Sequence, residues 1–353
     1  MATSQDFVNW VCGPELDYRY LKYVLLGERS SFLRFASGTT HQTIYFPEVK
    51  AFHIALPPLD TQRRIADVLG ALDDRIDLLR QTNTTLEAIA QALFKSWFID
   101  FDPVHAKAEG REPEGMDAAT AALFPSEFQE SEQGLTPKGW KVQRIEQVAT
   151  KVAMGPFGSN IKVSTFVEEG VPVISGQHLK EALLDDGEFN FITQEHAERL
   201  SNSLVRAGDI VFTHAGNIGQ VSLIPRGSDY ETYVLSQRQF YLRCKPESVT
   251  PEFLTYYFRS PQGQHRLLAN ASQVGVPSIA RPASYLKSLE VVIPPSSVTR
   301  AFADIVAVLH QCAVSNRRRT KTLIKLRDTL LPRLISGKLH LPEVEAQLER
   351  AVA

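Results

Sequence analysis

Polar and cationic side chains that can bond to a nucleic acid are concentrated in four loop-like stretches. The stretches are MGPFGSNIKVS (154–164), THAGNIGQ (213–220), LSQRQF (235–240) and NASQVGVPSIARP (270–282). Gly-rich loops expose backbone N–H groups that bind phosphates, while Arg, Gln and Asn side chains bind base edges. The candidate contacts are Phe157, Ser159, Asn160, Lys162, His214, Asn217, Gln220, Ser236, Gln237, Arg238, Ser272 and Gln273.

Three of these stretches also have a purely structural interpretation. The stretch 154–164 can be a tight turn that caps a strand, and 270–282 can be an ordinary loop. The stretch 213–220 lies between two apolar runs and can be a hairpin turn, in which Gly216 and Gly219 allow positive φ or close approach.

The stretch 235–240 alternates in a way that predicts a strand. Ser236, Arg238 and Phe240 would share one face, and Gln237 and Gln239 the other. An Arg on such a face can bind guanine through two hydrogen bonds, and a Gln can bind adenine in the same way. The alternative is a solvated strand face.

The chain carries no motif for chemistry of its own. The stretch 154–164 lacks the Gly-Lys-Ser/Thr ending of a nucleotide-binding loop, and no Asn-Pro-Pro-aromatic motif of an adenine methyltransferase occurs. The nine histidines form no zinc pattern. Asp100, Asp102 and His105 are close in sequence, but their position at a helix end and in a linker disfavours a metal site. We therefore predict no catalytic residue, no metal ligand and no cofactor in this chain.

Cysteine usage and hydropathy predict a cytoplasmic protein. Cys12, Cys244 and Cys312 show neither metal-ligand spacing nor a pairing pattern, as is typical of a reducing compartment. The first residues, MATSQDFVNW, do not resemble a secretory leader. The sequence also has no apolar run of about 18 residues, so we expect no membrane contact.

An internal repeat organises the elements that must position the loops. LPPLDTQRRIADVLGALDDRID (56–77) resembles IPPSSVTRAFADIVAVLHQCAV (293–314), 237 positions later. Upstream, DYRYLKYVLL (17–26) resembles PEFLTYYFRS (251–260), and VKAFHIALPP (49–58) resembles YLKSLEVVIPP (285–295). Each repeat is therefore predicted to be a short helix, a loop, a strand that runs into Pro-Pro, and a long helix.

Apolar residues recur every three or four positions after each Pro-Pro pair, and Asn83 interrupts the first series. This heptad period requires a partner helix, and a polar residue in the seam can fix its register. We therefore predict that the two long helices form an antiparallel coiled coil. The alternative is two separate amphipathic helices, each packed on its own domain. The predicted seam residues are Leu69, Leu72, Ile76, Asn83, Leu86, Leu93, Val306, Leu309, Leu323 and Leu330.

These patterns predict an α+β fold in which mixed α/β domains are joined by the two long helices. The predicted division is a partial first domain (1–58), a first long helix (59–100), an acidic linker (101–133), a second domain (134–295), a second long helix (296–338) and a tail (339–353). The linker is rich in Glu, Pro, Gly and Ala and is expected to be solvated.

Several motifs in order resemble the DNA-specificity subunit of type I restriction–modification enzymes. They are KSWFIDFDPV, LTPKGWKVQRIEQV, GPFGSNIK, VPVISGQHL, AGDIVFTHAGNIGQVSLIP, LSQRQFYLR, SLEVVIPP and LLPRLISGKL. The resemblance covers nearly the whole chain. It implies two target-recognition domains, each followed by a long helix, and antiparallel helices that set the distance between two half-sites on double-stranded DNA. Residues 1–58 depart from this plan as a truncated first target-recognition domain.

The same resemblance implies the partners and the function. The partners would be adenine methyltransferase (modification) subunits and a motor-nuclease (restriction) subunit. Half-size subunits that dimerise are known in this family, so the chain is expected either to pair with a second copy of itself or to be a remnant. S-adenosylmethionine, ATP and Mg²⁺ would belong to the partners. The expected function is sequence-specific DNA recognition that directs adenine methylation and DNA cleavage by partner subunits. The alternative is an assembly scaffold, or a truncated remnant, that binds partner subunits without reading DNA.

Overall fold

A computed structural model of the protein describes residues 8–35, 44, 46–50, 52–158, 160–272 and 274–339. Ser159, Gln273 and the predicted tail from residue 340 onward lie outside the described residues. The chain divides into two compact units. Met1–Thr84 with Ala313–Ala353 form the first, which we call the helical unit, and Thr85–Cys312 form the second, which we call the sheet unit.

Helices and strands both contribute to the described residues, which confirms the predicted α+β class. The helices are α1 (Tyr18–Gly27), α2 (Arg29–Phe35), α3 (Phe46–Lys50), α4 (Leu59–Phe98), α5 (Asp102–Ala108), α6 (Ala118–Ala122), α7 (Ile145–Val148), α8 (Gln194–Arg199), α9 (Pro251–Arg259), α10 (Pro261–Leu268), α11 (Pro282–Ser288) and α12 (Ser296–Ile335). The strands are β1 (Phe128–Ser131), β2 (Gly134–Pro137), β3 (Lys141–Arg144), β4 (Ala149–Met154), β5 (Val171–Ile174), β6 (Asn190–Ile192), β7 (Leu204–Val205), β8 (Asp209–Thr213), β9 (Val221–Leu223), β10 (Tyr233–Leu235), β11 (Gln239–Cys244), β12 (Ala271–Ser272), β13 (Ser278–Ile279) and β14 (Glu290–Ile293).

In the helical unit, α1 packs on the first part of α4 and the last part of α12. The Asp17 side chain caps α1 by accepting hydrogen bonds from the N–H groups of Arg19 and Tyr20. Gln62 of α4 is buried, and its amide forms hydrogen bonds with the backbone of the segments before α1 and before α4. It accepts from the N–H of Asp17 and donates to the carbonyl of Pro57. The core comprises Tyr20, Tyr23, Val24, Ile65, Leu69, Leu72, Leu330, Leu331 and Leu334.

The two long helices run antiparallel within the helical unit. As the residue number rises along α4, its partner in α12 falls. Asp73 accepts a hydrogen bond of 2.9 Å from Arg327, and Asn83 donates one of 3.2 Å to the carbonyl of Ala313. Asn316 donates to Asn83 at 3.0 Å, so the polar seam position has an amide partner in the opposite helix. The packing of the two helices confirms the antiparallel pair, and separate helices are not observed.

The seam positions are covered along both helices. Leu69, Leu72, Ile76, Val306 and Leu330 are buried. Leu86, Leu93, Leu309 and Leu323 are partly buried, as is Asn83.

The sheet unit contains two four-stranded sheets, ordered β6-β5-β10-β7 and β4-β11-β8-β9. The second sheet is antiparallel throughout, with Phe240 of β11 opposite Met154 of β4 and Gln239 opposite Thr213 of β8. The described residues of this unit also form three two-stranded sheets: β1-β2, β12-β13 and β3-β14. Every residue of the inner strands β5, β8 and β10 is buried, and most of these residues are apolar.

An aromatic cluster joins α4, α9 and α12 inside the sheet unit. Phe94 and Phe98 of α4 lie 5.7 and 5.2 Å, between ring centroids, from Phe302 of α12. Phe253 of α9 packs edge-on against Phe98 at 4.9 Å. Large aromatic side chains contribute strongly to stability when they are buried. This cluster therefore attaches both long helices to α9 in the sheet unit.

Two sequence expectations are wrong in this structure. Residues 52–58 form no strand, because the corresponding strand in the second repeat, β14, pairs with β3, and the described part of the first repeat offers no such partner. The segment 101–133 is not a solvated linker, since it contains α5, α6 and β1. Its acidic residues face solvent, whereas Val104 and Phe124 are buried, and Phe124 packs on Trp97 at 5.1 Å.

No helix among the described residues combines the length and the apolar character needed to cross a membrane.

Candidate DNA interface

The four candidate loops meet at one end of the β4-β11-β8-β9 sheet. Met154 ends β4, Thr213 ends β8 and Gln239 begins β11, and the antiparallel register places these three residues side by side. The loops that follow or precede them must therefore leave the same sheet edge. We call the described residues of 155–162, 214–220, 236–238 and 272–281 the loop surface.

Hydrogen bonds tie the first loop to the β10–β11 connection. The Gln237 amide donates to the carbonyls of Gly158 and Ile161, and Gly155 N–H donates to the Gln239 carbonyl at 2.8 Å. A Cβ atom at Gly155 would lie 1.9 Å from the Ser236 carbonyl oxygen, so only glycine fits there.

The β8–β9 turn joins the same group. His214 N–H donates to the Arg238 carbonyl at 2.9 Å, and its Nε2 lies 3.1 Å from the Gln237 carbonyl oxygen. On its other side, Gly216 N–H donates to the Pro277 carbonyl at 2.9 Å, so the β12–β13 hairpin is attached as well. Gly216 and Gly219 have φ of 84° and 86°, which confirms the predicted turn.

Burial lowers the pKa of the His214 imidazole, and its bond to the Gln237 carbonyl opposes that effect. The ring is therefore neutral at pH 7 and serves as a link between loops. It adds no positive charge to the surface.

Two further candidates lie inside the loops, where their polar groups are already bonded. The Gln220 amide accepts from Thr213 Oγ1 and donates to the Gly176 carbonyl, both at 3.0 Å. The Ser236 hydroxyl donates to Gln239, which is buried. These side chains position the loops, and reading a base would first require breaking their bonds.

The remaining candidates project outward. Arg238, Asn217 and Lys162 are exposed, and the Arg238 guanidinium makes no hydrogen bond or ion pair with another described residue. The side chain of Phe157 is 74% exposed. Asn160 donates to the Phe157 carbonyl at 2.8 Å, and the Ser272 hydroxyl accepts from Val274 N–H at 3.3 Å.

Residues 236–238 do not form the predicted strand. Leu235 ends β10 in one sheet and Gln239 begins β11 in the other, so these residues make the short connection between the two sheets. The alternating pattern predicted that Arg238 and Gln237 would lie on opposite faces of a strand, and this prediction is wrong. Both are exposed residues of one connecting turn.

Sequence reasoning missed three exposed side chains on the loop surface. Val274 and Val276 are 90% and 61% exposed at the tip of the β12–β13 hairpin. Arg281 is exposed and has a positive φ of 46° immediately before Pro282. The bend that presents Arg281 has no sequence signal, because non-glycine residues rarely adopt this conformation.

Charge distinguishes the loop surface from the rest of the chain. The stretches 154–164, 213–220, 235–240 and 270–282 contain no Asp or Glu, although the chain has 40 of them. They contain Lys162, Arg238 and Arg281. A positively charged surface without acidic residues is suited to a phosphate backbone. Within the part of the chain that the structure describes, no group of three His, Cys, Asp or Glu side chains is placed to hold a metal.

Known proteins are similar in sequence to this chain over most of the chain's length. The family model of the type I restriction modification DNA specificity domain matches residues 2–88 and 137–325. The chain is 27% identical over 342 residues to the specificity subunit of the type I restriction enzyme HindI from Haemophilus influenzae, covering 86% of this chain and 72% of that one. It is 24% identical over 364 residues to the specificity subunit of the MjaIX enzyme from Methanocaldococcus jannaschii, covering 98% and 74%.

A solved structure shares the fold. The S subunit of a type I restriction–modification system from M. genitalium aligns with a TM-score of 0.53 and 17% identity, covering 91% of this chain and 73% of that one. The family match spans more than half of the residues and includes all four loop stretches completely. The chain therefore belongs to the family of type I restriction modification DNA specificity domains.

Proposed function

We propose that this chain is the DNA-recognition subunit of a type I restriction–modification complex and that the loop surface reads double-stranded DNA. The observation that carries the proposal is the convergence of four loops without acidic residues on one sheet edge. The family membership supports the functional class, and the loop geometry supports the proposed location of the DNA contacts. The scaffold alternative is not favoured, because the relatives are named as specificity subunits.

The exposed side chains divide into two roles under this proposal. Lys162 and Arg281 bind phosphates, which supplies affinity that depends on salt but little on sequence. Arg238 and Asn217 bind base edges, and Arg238 is suited to guanine. Ser159 and Gln273 stay candidates from the sequence alone. The apolar hairpin tip at Val274 and Val276 contacts the DNA where a thymine methyl or a base step is accessible.

The chain supplies recognition, and partner subunits supply the chemistry. We assign adenine methylation to methyltransferase subunits that bind S-adenosylmethionine, and cleavage to a motor-nuclease subunit that uses ATP and Mg²⁺. Residues 134–295 would form the target-recognition domain, 59–100 and 296–338 the spacer helices, and 1–58 a partial first domain. The complex would act in the cytoplasm. A second copy of the chain would supply a second loop surface.

DNA binding by the chain with its methyltransferase partner tests the proposal. Methylated adenines are first mapped in DNA from cells that express both proteins, which identifies the target. Fluorescence anisotropy then compares target and scrambled duplexes over a salt series. We expect tighter binding to the target and a linear fall of log K with log salt. Equal affinity for both duplexes would contradict the proposal, and the mass of the complex counts the copies.

A further inference from the structure

The part of α12 that belongs to the helical unit carries a strong positive charge on its exposed side. Residues 313–335 contain seven Lys or Arg residues and one acidic residue, Asp328. Asp328 pairs with Arg327 at 2.8 Å, and Arg327 also pairs with Asp73 of α4 at 2.9 Å. Five of the cations are exposed, and we call them the basic face: Arg318, Arg319, Lys321, Lys325 and Arg333.

The basic face lies on the side of α12 that is turned away from its packing contacts. Arg318, Lys321 and Lys325 are spaced by three and four positions, so they share one side of the helix. Leu330 lies on the other side and is buried in the core of the helical unit. Residues 318–333 span roughly 22 Å at 1.5 Å per residue, which is about the length of six base pairs of a duplex.

Pairing of the long helices does not explain the basic face, because the equivalent positions of the first repeat are uncharged. Lys321 and Lys325 are four residues apart on one helix, where like charges repel and lower stability. The charges therefore belong to the second repeat alone and favour a ligand of opposite charge. The positions 237 residues earlier are Gln81, Thr82, Thr84, Ala88 and Ser96.

The basic face fits a nucleic-acid backbone better than it fits an acidic protein. Protein interfaces normally have an apolar centre that is rich in aromatic residues, whereas Lys and Arg side chains are sufficient to bind phosphates. None of the exposed large apolar side chains in the described part of the chain lies between residues 313 and 339. The surface around the basic face therefore lacks the apolar centre that a stable protein interface needs.

We propose that the basic face binds the phosphate backbone of double-stranded DNA without reading its sequence. This inference rests on the proposed function, because it takes duplex DNA as the ligand. It adds a contact on the helical unit that shares no residue with the loop surface. Such a contact contributes affinity that depends on salt and is the same for every sequence.

A triple variant with Arg319→Gln, Lys325→Gln and Arg333→Gln tests the proposal. These side chains form no hydrogen bond or ion pair with another described residue, so their replacement breaks no contact in that part of the chain. The melting temperature of the variant should stay unchanged or rise, because repulsion along α12 is relieved.

DNA binding is measured by fluorescence anisotropy over a salt series, with the full-length chain and its methyltransferase partner. The triple variant should bind target and scrambled duplexes roughly ten- to hundredfold more weakly at about 0.1 M salt. The slope of log K against log salt should become smaller by about 2. The ratio of the two affinities should stay at its wild-type value, since the lost contacts carry no sequence information.

A second triple variant with Lys141→Gln, Lys180→Gln and Arg226→Gln is the matched control. These three residues are exposed and lie outside both the loop surface and the basic face. Their replacement changes the net charge by the same amount. This variant should keep the wild-type affinity to within about twofold. Equal losses from the two triple variants would assign the effect to net charge and overturn the proposal.

Failure of this proposal is distinguishable from failure of the proposed function. A wild type that prefers its target, with a basic-face variant that keeps its affinity and salt slope, would overturn the basic face alone. A wild type without preference, with a variant of smaller slope, would support the basic face and contradict sequence reading by the loop surface. Loss of the methyltransferase partner from the variant at unchanged slope, seen in the mass of the complex, would identify an acidic protein as the occupant and overturn the proposal.

Discussion

The Tyr256 hydroxyl lies 3.0 Å from Nε2 of His310, and this contact has an equivalent in the first repeat. There, Tyr23 donates a hydrogen bond of 2.9 Å to Asp73, and His310 lies 237 positions after Asp73. In both repeats a tyrosine of the short helix meets the same position of the long helix. The two repeats therefore share one packing arrangement between short and long helix, with different polar partners. The repeat seen in the sequence is thus also a repeat of tertiary structure.

This equivalence predicts unequal costs for removing the two hydroxyls. Tyr23→Phe should lower the free energy of unfolding by roughly 2 kcal/mol, because its acceptor is a carboxylate, and Tyr256→Phe by about 1 kcal/mol. Urea unfolding measures both changes. Tyr18 is 72% exposed, so Tyr18→Phe is the control and should change stability by less than about 0.5 kcal/mol. Equal effects of all three changes would show that the hydroxyl contacts are not formed.

The long helices were predictable because apolar residues recur in them at a helical spacing. Each apolar position of the seam is repeated every three or four residues, and burial follows that pattern from Ile65 to Leu79. The polar residue Asn83 in the apolar series also indicated a special position in the seam, because a polar seam residue requires a hydrogen-bond partner. Asn316 of α12 provides that partner. The strand that alternation predicts before Pro57-Pro58 is absent at residues 52–58. Alternation alone could not reveal this, because a strand exists only where another strand pairs with it.

The loop surface could be predicted as a set of residues but only partly as a set of roles. Gly and Pro marked the loops, and the register of β4, β11 and β8 brought them together. Sequence could not separate Gln220, whose amide is satisfied internally, from Arg238, which is exposed. That difference depends on tertiary hydrogen bonds to residues distant in sequence, such as Gly176.

A second prediction concerns Glu87, which joins the part of α4 that belongs to the sheet unit to α9. Its carboxylate pairs with Arg259 at 2.5 Å, and the two side chains are only 21% and 18% exposed. Glu87→Gln leaves the guanidinium without its counter-charge and should cost roughly 2 kcal/mol in urea unfolding. Glu195→Gln is the control, because Glu195 and Arg199 form an exposed pair, and it should cost less than about 0.5 kcal/mol. Similar losses would contradict the importance of the Glu87 contact.

A third prediction concerns pH. Burial lowers the pKa of His178, and backbone contacts and nearby aspartates oppose that effect. Its Nδ1 accepts a hydrogen bond of 3.0 Å from the Ser175 N–H. Protonation of Nδ1 would break this hydrogen bond, because two N–H donors would then face each other. The unfolded imidazole has a pKa of about 6.5 and binds the proton first. Stability should therefore fall as pH drops below about 6.5.

Replacing His178 tests this pH dependence. His178→Asn keeps an acceptor for Ser175 N–H and cannot be protonated, so the free energy of unfolding should depend less on pH between pH 7 and pH 5. A slope that survives in His178→Asn would assign the acid sensitivity to another group.

A fourth prediction separates base reading from phosphate binding on the loop surface. Arg238→Ala should weaken target binding by about 1–3 kcal/mol and scrambled binding much less. Lys162→Ala should weaken both about equally and reduce the salt slope by about 1. Anisotropy titrations at several salt concentrations measure these effects with the methyltransferase partner present. Equal losses from both variants on every duplex would show that the two roles are wrongly assigned.

The last prediction concerns the apolar tip of the β12–β13 hairpin. Val274 and Val276 are largely exposed, so truncating both to Ala should change the free energy of unfolding by less than about 0.5 kcal/mol. If the tip contacts DNA, the lost methyl groups should weaken target binding by about 1–2 kcal/mol. Val308→Ala, at a residue 61% exposed on α12, is the matched control and should leave the affinity unchanged. Equal affinity of the double variant and this control would place the hairpin tip outside the DNA interface.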